Sequence, residues 1–186
     1  MSIVRRRLVR FGIFGSLALV GSAAWVVMNP PEQDPDMLGN APPDPNRASP
    51  LPAVTLPGLN GAPGFSTGEV AQSGRPVLLN VFASWCAPCI IEAPVLAGLQ
   101  RQGVVIWGIA FRDKPEAVTA FLDRHGNPYA RIGMDPMSAH TGPLGLTGVP
   151  ENLLVDGGGT IRWRWPAGIT EEMAKETIIP RWQAMV

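Results

Sequence analysis

Val77-Leu78-Leu79-Asn80-Val81-Phe82-Ala83-Ser84-Trp85-Cys86-Ala87-Pro88-Cys89-Ile90-Ile91-Glu92 is the stretch on which the reading of this chain turns. Its first seven residues are nearly all apolar, the pattern of a short strand buried on both faces. From Ile90 to Leu99 the apolar residues return at helical spacing. Between the two lie Cys86 and Cys89, the only cysteines among 186 residues. A strand that runs through Cys-x-x-Cys into a helix is the context of redox chemistry. A thiol at a helix N-terminus sits among unpaired backbone N–H groups and the positive end of the macrodipole. Both favour thiolate over thiol, and thiolate is the attacking species. The second cysteine lies one turn on, within disulfide reach, and is placed to resolve a mixed disulfide formed at the first.

Two other readings of the pair are weaker. A purely structural disulfide closing about four residues would stabilise by only roughly 2 kcal/mol in the chain-entropy picture. A zinc site lacks further cysteines, and His125 and His140 are not spaced as paired ligands; no metal and no cofactor are expected. Both histidines read as structural or surface residues.

The rest of the composition sets the frame. Hydrophobic residues make up 46% of the chain, ample for one core. Net charge is zero, but Arg5, Arg6, Arg7 and Arg10 precede any acid, leaving 11 basic against 15 acidic residues in 29–186. That balance gives no nucleic-acid surface. Phe11 to Met28 is uncharged and, as a helix, about 27 Å long, close to the hydrocarbon thickness of a bilayer. With the arginines held inside, residues 1–10 are expected in the cytoplasm, 11–28 as a single-pass inner-membrane anchor, and the remainder in the periplasm. A cleaved signal peptide ending near Ser22-Ala23-Ala24 is the rival. Ten of the twenty prolines fall between Asn29 and Pro63. Residues 29–52 accordingly read as an extended, semi-rigid spacer without packing of its own, and 53–186 as the folded domain.

Within that domain, Gly58 to Gly74 is turn-rich, with Phe65 and Val70 as anchors of an N-terminal hairpin. A helix is expected from about Ala87 to Arg101, kinked rather than ended by Pro94, and a second buried strand over Val104 to Ala110. Pro115 to His125 reads as a helix capped by Asp113 and stopped at Gly126-Asn127-Pro128. Tyr129 to Met134 reads as a strand. Asn152 to Asp156 and Thr160 to Trp165 form a hairpin around Gly157-Gly158-Gly159. A closing helix spans Thr170 to Met185, capped by Thr170 with Glu171 or Glu172 and flawed at Pro180. Trp107, Trp163 and Trp165 belong to the core or a sheet face. This order implies an α/β domain of thioredoxin-like architecture, a mixed central sheet with helices on both faces.

Several separate stretches together resemble one family. They are Leu79 to Cys89, then Glu92, Gly126-Asn127-Pro128-Tyr129, Gly148-Val149-Pro150-Glu151-Asn152-Leu153-Leu154-Val155-Asp156 and Gly159-Thr160-Ile161-Arg162. The chain resembles the membrane-anchored thiol:disulfide interchange proteins of cytochrome c maturation, the DsbE (CcmG) family, over roughly residues 53–183. Pro143-Leu144-Gly145-Leu146-Thr147 departs from the aromatic residues that relatives often carry there, which touches the shape of the substrate groove rather than the chemistry.

The resemblance implies a weakly reducing protein with Cys86 and Cys89 as its redox disulfide. It would serve the haem-attachment cysteines of apocytochrome c or a partner thiol protein of the same maturation, and be re-reduced by a DsbD- or CcdA-like membrane donor. Pro150 would be a cis-proline facing the disulfide, and Trp85, Val149 and Pro150 would form the substrate-binding face. Glu92 and Glu151 are the candidate acids, lying near the cysteines, modulating their ionisation and able to accept the proton of Cys89. A carboxylate beside a thiolate raises the thiol's proton affinity and so opposes the helix dipole. A general periplasmic oxidoreductase or isomerase and a copper-delivery protein on the same fold are the alternatives.

Overall fold

The computed structural model describes residues 44–186. The expected cytoplasmic segment 1–10, the anchor 11–28 and most of the spacer lie outside the described residues. Among the described residues no helix is long and apolar enough to cross a membrane.

Strand β4 (Val77–Phe82) is the centre of a six-stranded mixed sheet. On one side it pairs in parallel with β5 (Ile106–Phe111), which pairs in parallel with β6 (Arg131–Asp135). On the other side β7 (Glu151–Val155) runs antiparallel to β4, and β8 (Thr160–Trp165) antiparallel to β7. All six residues of β4 are buried, as a continuous apolar run requires when both sheet faces are covered. Helix α2 (Ala87–Arg101) joins β4 to β5, and α3 (Pro115–His125) joins β5 to β6, both with the bounds expected from sequence.

The pleat sorts the strands into two cores. Leu78 and Phe82 of β4, Leu154 of β7 and Trp163 of β8 pack with both cysteines, the apolar faces of α2 and α3, and Ile178 and Trp182 near the C-terminus. Val77, Leu79 and Val81 pack on the far face with Trp107, Leu153, Leu144 and the N-terminal hairpin. Helices therefore cover both faces, but unequally. Among the described residues the far face carries α1 (Thr67–Ser73), the hairpin of β2 (Thr55–Leu56) and β3 (Phe65–Ser66), and the segment around Leu144. Gly133 of β6 lets that hairpin seat, since a Cβ there would come within 2.6 Å of Leu56.

Four expectations change. The turn-rich segment Gly58–Gly74 does contain a hairpin, but its second half is α1, started by a reciprocal capping box between Ser66 and Glu69. The spacer 29–52 is not free of packing at its C-terminal end. Ser49 and Pro50 form β1 on the edge of β8, and Arg164 N donates to Pro45 O at 3.0 Å. The folded unit thus begins before residue 53, and the prolines there fit because an edge strand leaves one side of its backbone unpaired. Asp113 is not the cap of α3; that position is Lys114, without a side-chain cap. The closing helix is broken into α4 (Glu171–Met173), a π segment (Ala174–Ile178) and α5 (Ile179–Gln183). Thr170 caps it as expected, accepting from Met173 N at 3.2 Å. Pro180 has no N–H for the α-helical ladder, and the widened turn immediately precedes it.

Candidate active site

The chain leaves β4 at Phe82 and turns through Ala83, Ser84 and Trp85 into α2, and this turn is held from the end of β5. The Asp113 carboxylate accepts from Ser84 N at 2.5 Å, Ser84 Oγ at 3.0 Å and Lys114 N at 2.8 Å. Trp85 Nε1 donates to Arg112 O at 3.1 Å, while 60% of the Trp85 residue surface stays exposed beside the cysteines. Asp113 is thus a brace of the active-site turn, which explains its burial.

Cys86 is the N-cap of α2 and is bonded to Cys89, with the two Cα atoms 5.3 Å apart. Cys86 Sγ accepts from Cys89 N at 3.2 Å, so a helix N–H points at the sulfur that would carry negative charge on reduction. Both cysteines are buried, at 4% and 2% exposure, whereas Ile91, two residues beyond Cys89, is 76% exposed. Ile91, Pro88, Val95, Ile169 and Glu171 line a groove of about 370 Å³ that opens beside the helix, with Glu92 in its floor.

Glu92 stands one turn after Cys89 on the buried side of α2 and is 1% exposed. Its Oε1 accepts from Asn152 Nδ2 at 2.7 Å and Ile169 N at 3.0 Å, and its Oε2 from Asn80 Nδ2 at 3.2 Å. Asn80 and Asn152 are register partners on β4 and β7, and Asn80 Nδ2 also donates to Asn152 Oδ1 at 2.9 Å. Burial pushes the Glu92 carboxyl up to about 7, and the three N–H donors pull the other way without cancelling it. Neither asparagine is among the site residues expected from the sequence. Asn80 is signalled as a polar residue in the middle of a buried apolar run, and Asn152 as a polar residue at the head of one.

The Val149–Pro150 peptide is cis. Gly168 lies between this corner and α2, its Cβ position 3.7 Å from both Pro150 Cγ and Pro88 O and 3.9 Å from Glu92 Cβ. Val149, partly buried, packs against both cores, and Pro150 is buried. Glu151 is a correction. As the neighbour of Asn152 in β7 it points to the opposite sheet face, where it is fully buried and ion-paired with Arg164. Arg164 Nε donates to Glu151 Oε1 at 2.6 Å, and its other nitrogens donate to Leu144 O and Gly145 O. Glu151 Oε2 accepts from Thr147 N at 2.8 Å. Glu151 therefore ties the loop before Pro150 to β8 and is not placed to receive a proton from Cys89.

His140 is exposed, its backbone N donating to Asp135, and His125 rests against the Phe121 ring at 5.0 Å. Among the described residues no three His, Cys, Asp or Glu side chains gather as a metal site would need.

The Redoxin family model matches residues 46–176, which includes the turn, both cysteines and the Pro150 corner. The chain belongs to this family. Within it, the chain is 39% identical over 129 residues to the thiol:disulfide interchange protein HelX of Rhodobacter capsulatus, covering 69% of this chain and 73% of that protein. It is 31% identical over 181 residues to the thiol:disulfide interchange protein DsbE of Escherichia coli K12, covering 97% and 96%. A crystal structure described as a DsbE protein from Chlorobium tepidum superposes with a TM-score of 0.64 at 21% identity, over 76% of this chain and 99% of that one, a likeness of fold. The chain is a thiol:disulfide interchange protein of the DsbE/HelX kind, an oxidoreductase with Cys86 and Cys89 as its Cys-x-x-Cys pair.

Two predictions follow from the carboxylates of this redoxin. The folded protein keeps the Glu92 proton up to about pH 7, while an unfolded chain releases it near 4.5. Unfolding between those values therefore releases a proton, and stability falls as pH rises through the window, by about 3 kcal/mol in all. Urea titrations of the oxidised protein from pH 4 to 8 should show this slope, and Glu92→Gln should flatten it. Arg164→Ala strands the buried Glu151 charge and should cost about 3–5 kcal/mol at pH 7. An Arg164→Ala protein with an unchanged denaturation midpoint would contradict the bracing role.

Proposed function

We propose that this chain is a membrane-anchored periplasmic reductant of cytochrome c maturation. It would reduce the haem-attachment cysteines of apocytochrome c or those of a partner thiol protein, and a DsbD- or CcdA-like membrane protein would restore its own dithiol. The kinship with HelX and DsbE supports this reading. So do the uncharged segment 11–28 behind four arginines and the proline-rich stretch that follows it. The single observation that carries the chemistry is the Cys86 sulfur, capping α2 and accepting a backbone N–H, with a buried carboxyl one turn beyond its partner.

In the proposed reaction the Cys86 thiolate attacks one sulfur of a substrate disulfide. A Cys86–substrate disulfide forms and the other substrate sulfur leaves as thiolate. Cys89 then loses its proton to Glu92, whose affinity near 7 is matched to neutral pH. The Cys89 thiolate attacks Cys86 Sγ, closes the Cys86–Cys89 disulfide and expels the second substrate thiolate. Two electrons pass from the dithiol to the substrate. Trp85, Val149 and Pro150 would form the surface on which the substrate chain docks, a reading supported by the exposure of Trp85 and the cis Val149–Pro150 peptide.

Cys89→Ala cannot complete the second step, so expression of the full-length variant in cells should accumulate a covalent adduct through Cys86. Recovery of a c-type apocytochrome or a maturation thiol protein, sensitive to dithiothreitol, is the expected result; capture of no partner overturns the roles. Equilibration with glutathione or dithiothreitol fixes direction. A potential near thioredoxin's, about −270 mV, or somewhat above fits a reductant, whereas one near about −120 mV reverses the electron flow assigned here.

A further inference from the structure

Tyr129 is the only tyrosine of the chain, and its hydroxyl is buried at the far end of the network that holds Glu92. The hydroxyl donates to Asn80 Oδ1 at 2.7 Å. Asn80 Nδ2 then donates to Glu92 Oε2 at 3.2 Å and to Asn152 Oδ1 at 2.9 Å. Asn152 Nδ2 completes the set with Glu92 Oε1 at 2.7 Å and Ala167 O at 3.1 Å. Every buried side-chain nitrogen and oxygen among the described residues has a partner.

An amide has a donor end and an acceptor end, so its direction is fixed by its neighbours. Turned by 180°, Asn80 would set its oxygen against Asn152 Oδ1 and Glu92 Oε2. That contact is repulsive for a carboxylate but accepts a hydrogen bond from a protonated Glu92. The phenol and Asn152 Oδ1 together oppose the turn, the phenol because its buried O–H would lose its acceptor and Asn152 because two amide oxygens would meet. As built, the cage offers Glu92 three N–H donors and no acceptor, an environment written for the charged form.

We propose that Tyr129 is a positioning residue of the redox reaction, whose hydroxyl orients the Asn80 amide and thereby holds down the proton affinity of Glu92. The link to catalysis rests on the reading of Glu92 as the proton acceptor of Cys89. The ring itself has a separate, structural duty. It stacks on Phe82 at 4.7 Å, and both rings fill the space over Gly108, where a Cβ would come within 2.9 Å of each. Removing only the hydroxyl leaves that packing in place. Of the other titratable groups near Glu92, Glu171 of α4 lines the same groove, and Cys86 and Cys89 precede it at the start of its own helix. Glu151 is across the sheet and paired with Arg164.

The test uses the full-length protein and two readouts: the infrared band of the protonated carboxyl, assigned to Glu92 by its loss in Glu92→Gln, and the pH profile of disulfide reduction. In Tyr129→Phe the Glu92 midpoint should rise by about one pH unit, a tenfold change in proton affinity. Biosynthetic replacement of the single tyrosine by fluorotyrosine, a stronger O–H donor of nearly the same shape, should move it down. In a Glu92→Gln background Tyr129→Phe should leave the reduction profile unchanged, as coupling through Glu92 demands. A midpoint that stays put, or moves the same way in both replacements, overturns the proposal, as does a Tyr129→Phe effect that survives in Glu92→Gln. The catalytic reading of Glu92 fails separately, if Glu92→Gln alone leaves the wild-type pH profile of reduction intact while the infrared midpoint still answers for Tyr129.

Discussion

The burial of one carboxyl, Glu92, ties the active-site helix to both central strands and to the segment before α4. A charge taken out of water must be paired or hydrogen-bonded, or it gives up its ionisation. Here the partners are two asparagines at opposed positions of the two central strands and one backbone N–H of the segment before α4. Apolar residues at 80 and 152 would serve the packing of the sheet better. The asparagines are there because α2 presents a carboxyl to them, and they fasten the active-site helix to the sheet and to the 167–169 segment in a single set of bonds. The same segment brings Gly168 between Pro88 and Pro150, so the two halves of the redox face share one support.

Much of the fold was legible because its central elements are long and regular for local reasons. β4 is an unbroken apolar run, α2 begins at its capping cysteine with proline in its first turn, and α3 is punctuated by Pro115 and Gly126. The illegible parts are those whose structure comes from partners far along the chain. Ser49 and Pro50 form a strand only because β8 offers an edge. α1 was masked by glycines, although the Ser66–Glu69 capping box was written in the sequence. Pro180 announced a defect in the last helix, but its form, a five-residue π segment, depends on how Ile178 and Trp182 seat in the core.

At the site, the cysteines could be read from a few contiguous residues, since a helix start is a local event, whereas Glu92 was singled out by the family resemblance. Glu151 was misread for a reason that strand geometry supplies. Neighbouring residues of a strand face opposite ways, so Glu151 and Asn152 cannot both look toward the disulfide. The alternation was visible: Leu153 and Val155 share the face of Glu151, and Leu154 shares that of Asn152. Resemblance gave prominence to the charged residue, while the pleat gives the site to its amide neighbour. Asp113 is the parallel case, a residue placed like a helix cap whose carboxylate is spent on the turn in front of Cys86.

The arrangement sets two opposing electrostatic influences on one pair of sulfurs. The start of α2 and the Cys89 N–H favour negative charge on Cys86, where it is needed for attack and for departure. Glu92 disfavours it when ionised, one turn further in. A carboxyl with an ordinary affinity would be charged throughout and would oppose thiolate formation at Cys89 in a buried place. One raised to about 7 is part protonated at neutral pH. On the proposed mechanism, moving the Cys89 proton to it relocates a single buried negative charge instead of creating a second. Burial of Glu92 and satisfaction of its oxygens by amides are thus not competing features. Burial raises the affinity toward that of a thiol's surroundings, and the amides keep it from rising so far that the group could no longer release the proton it takes.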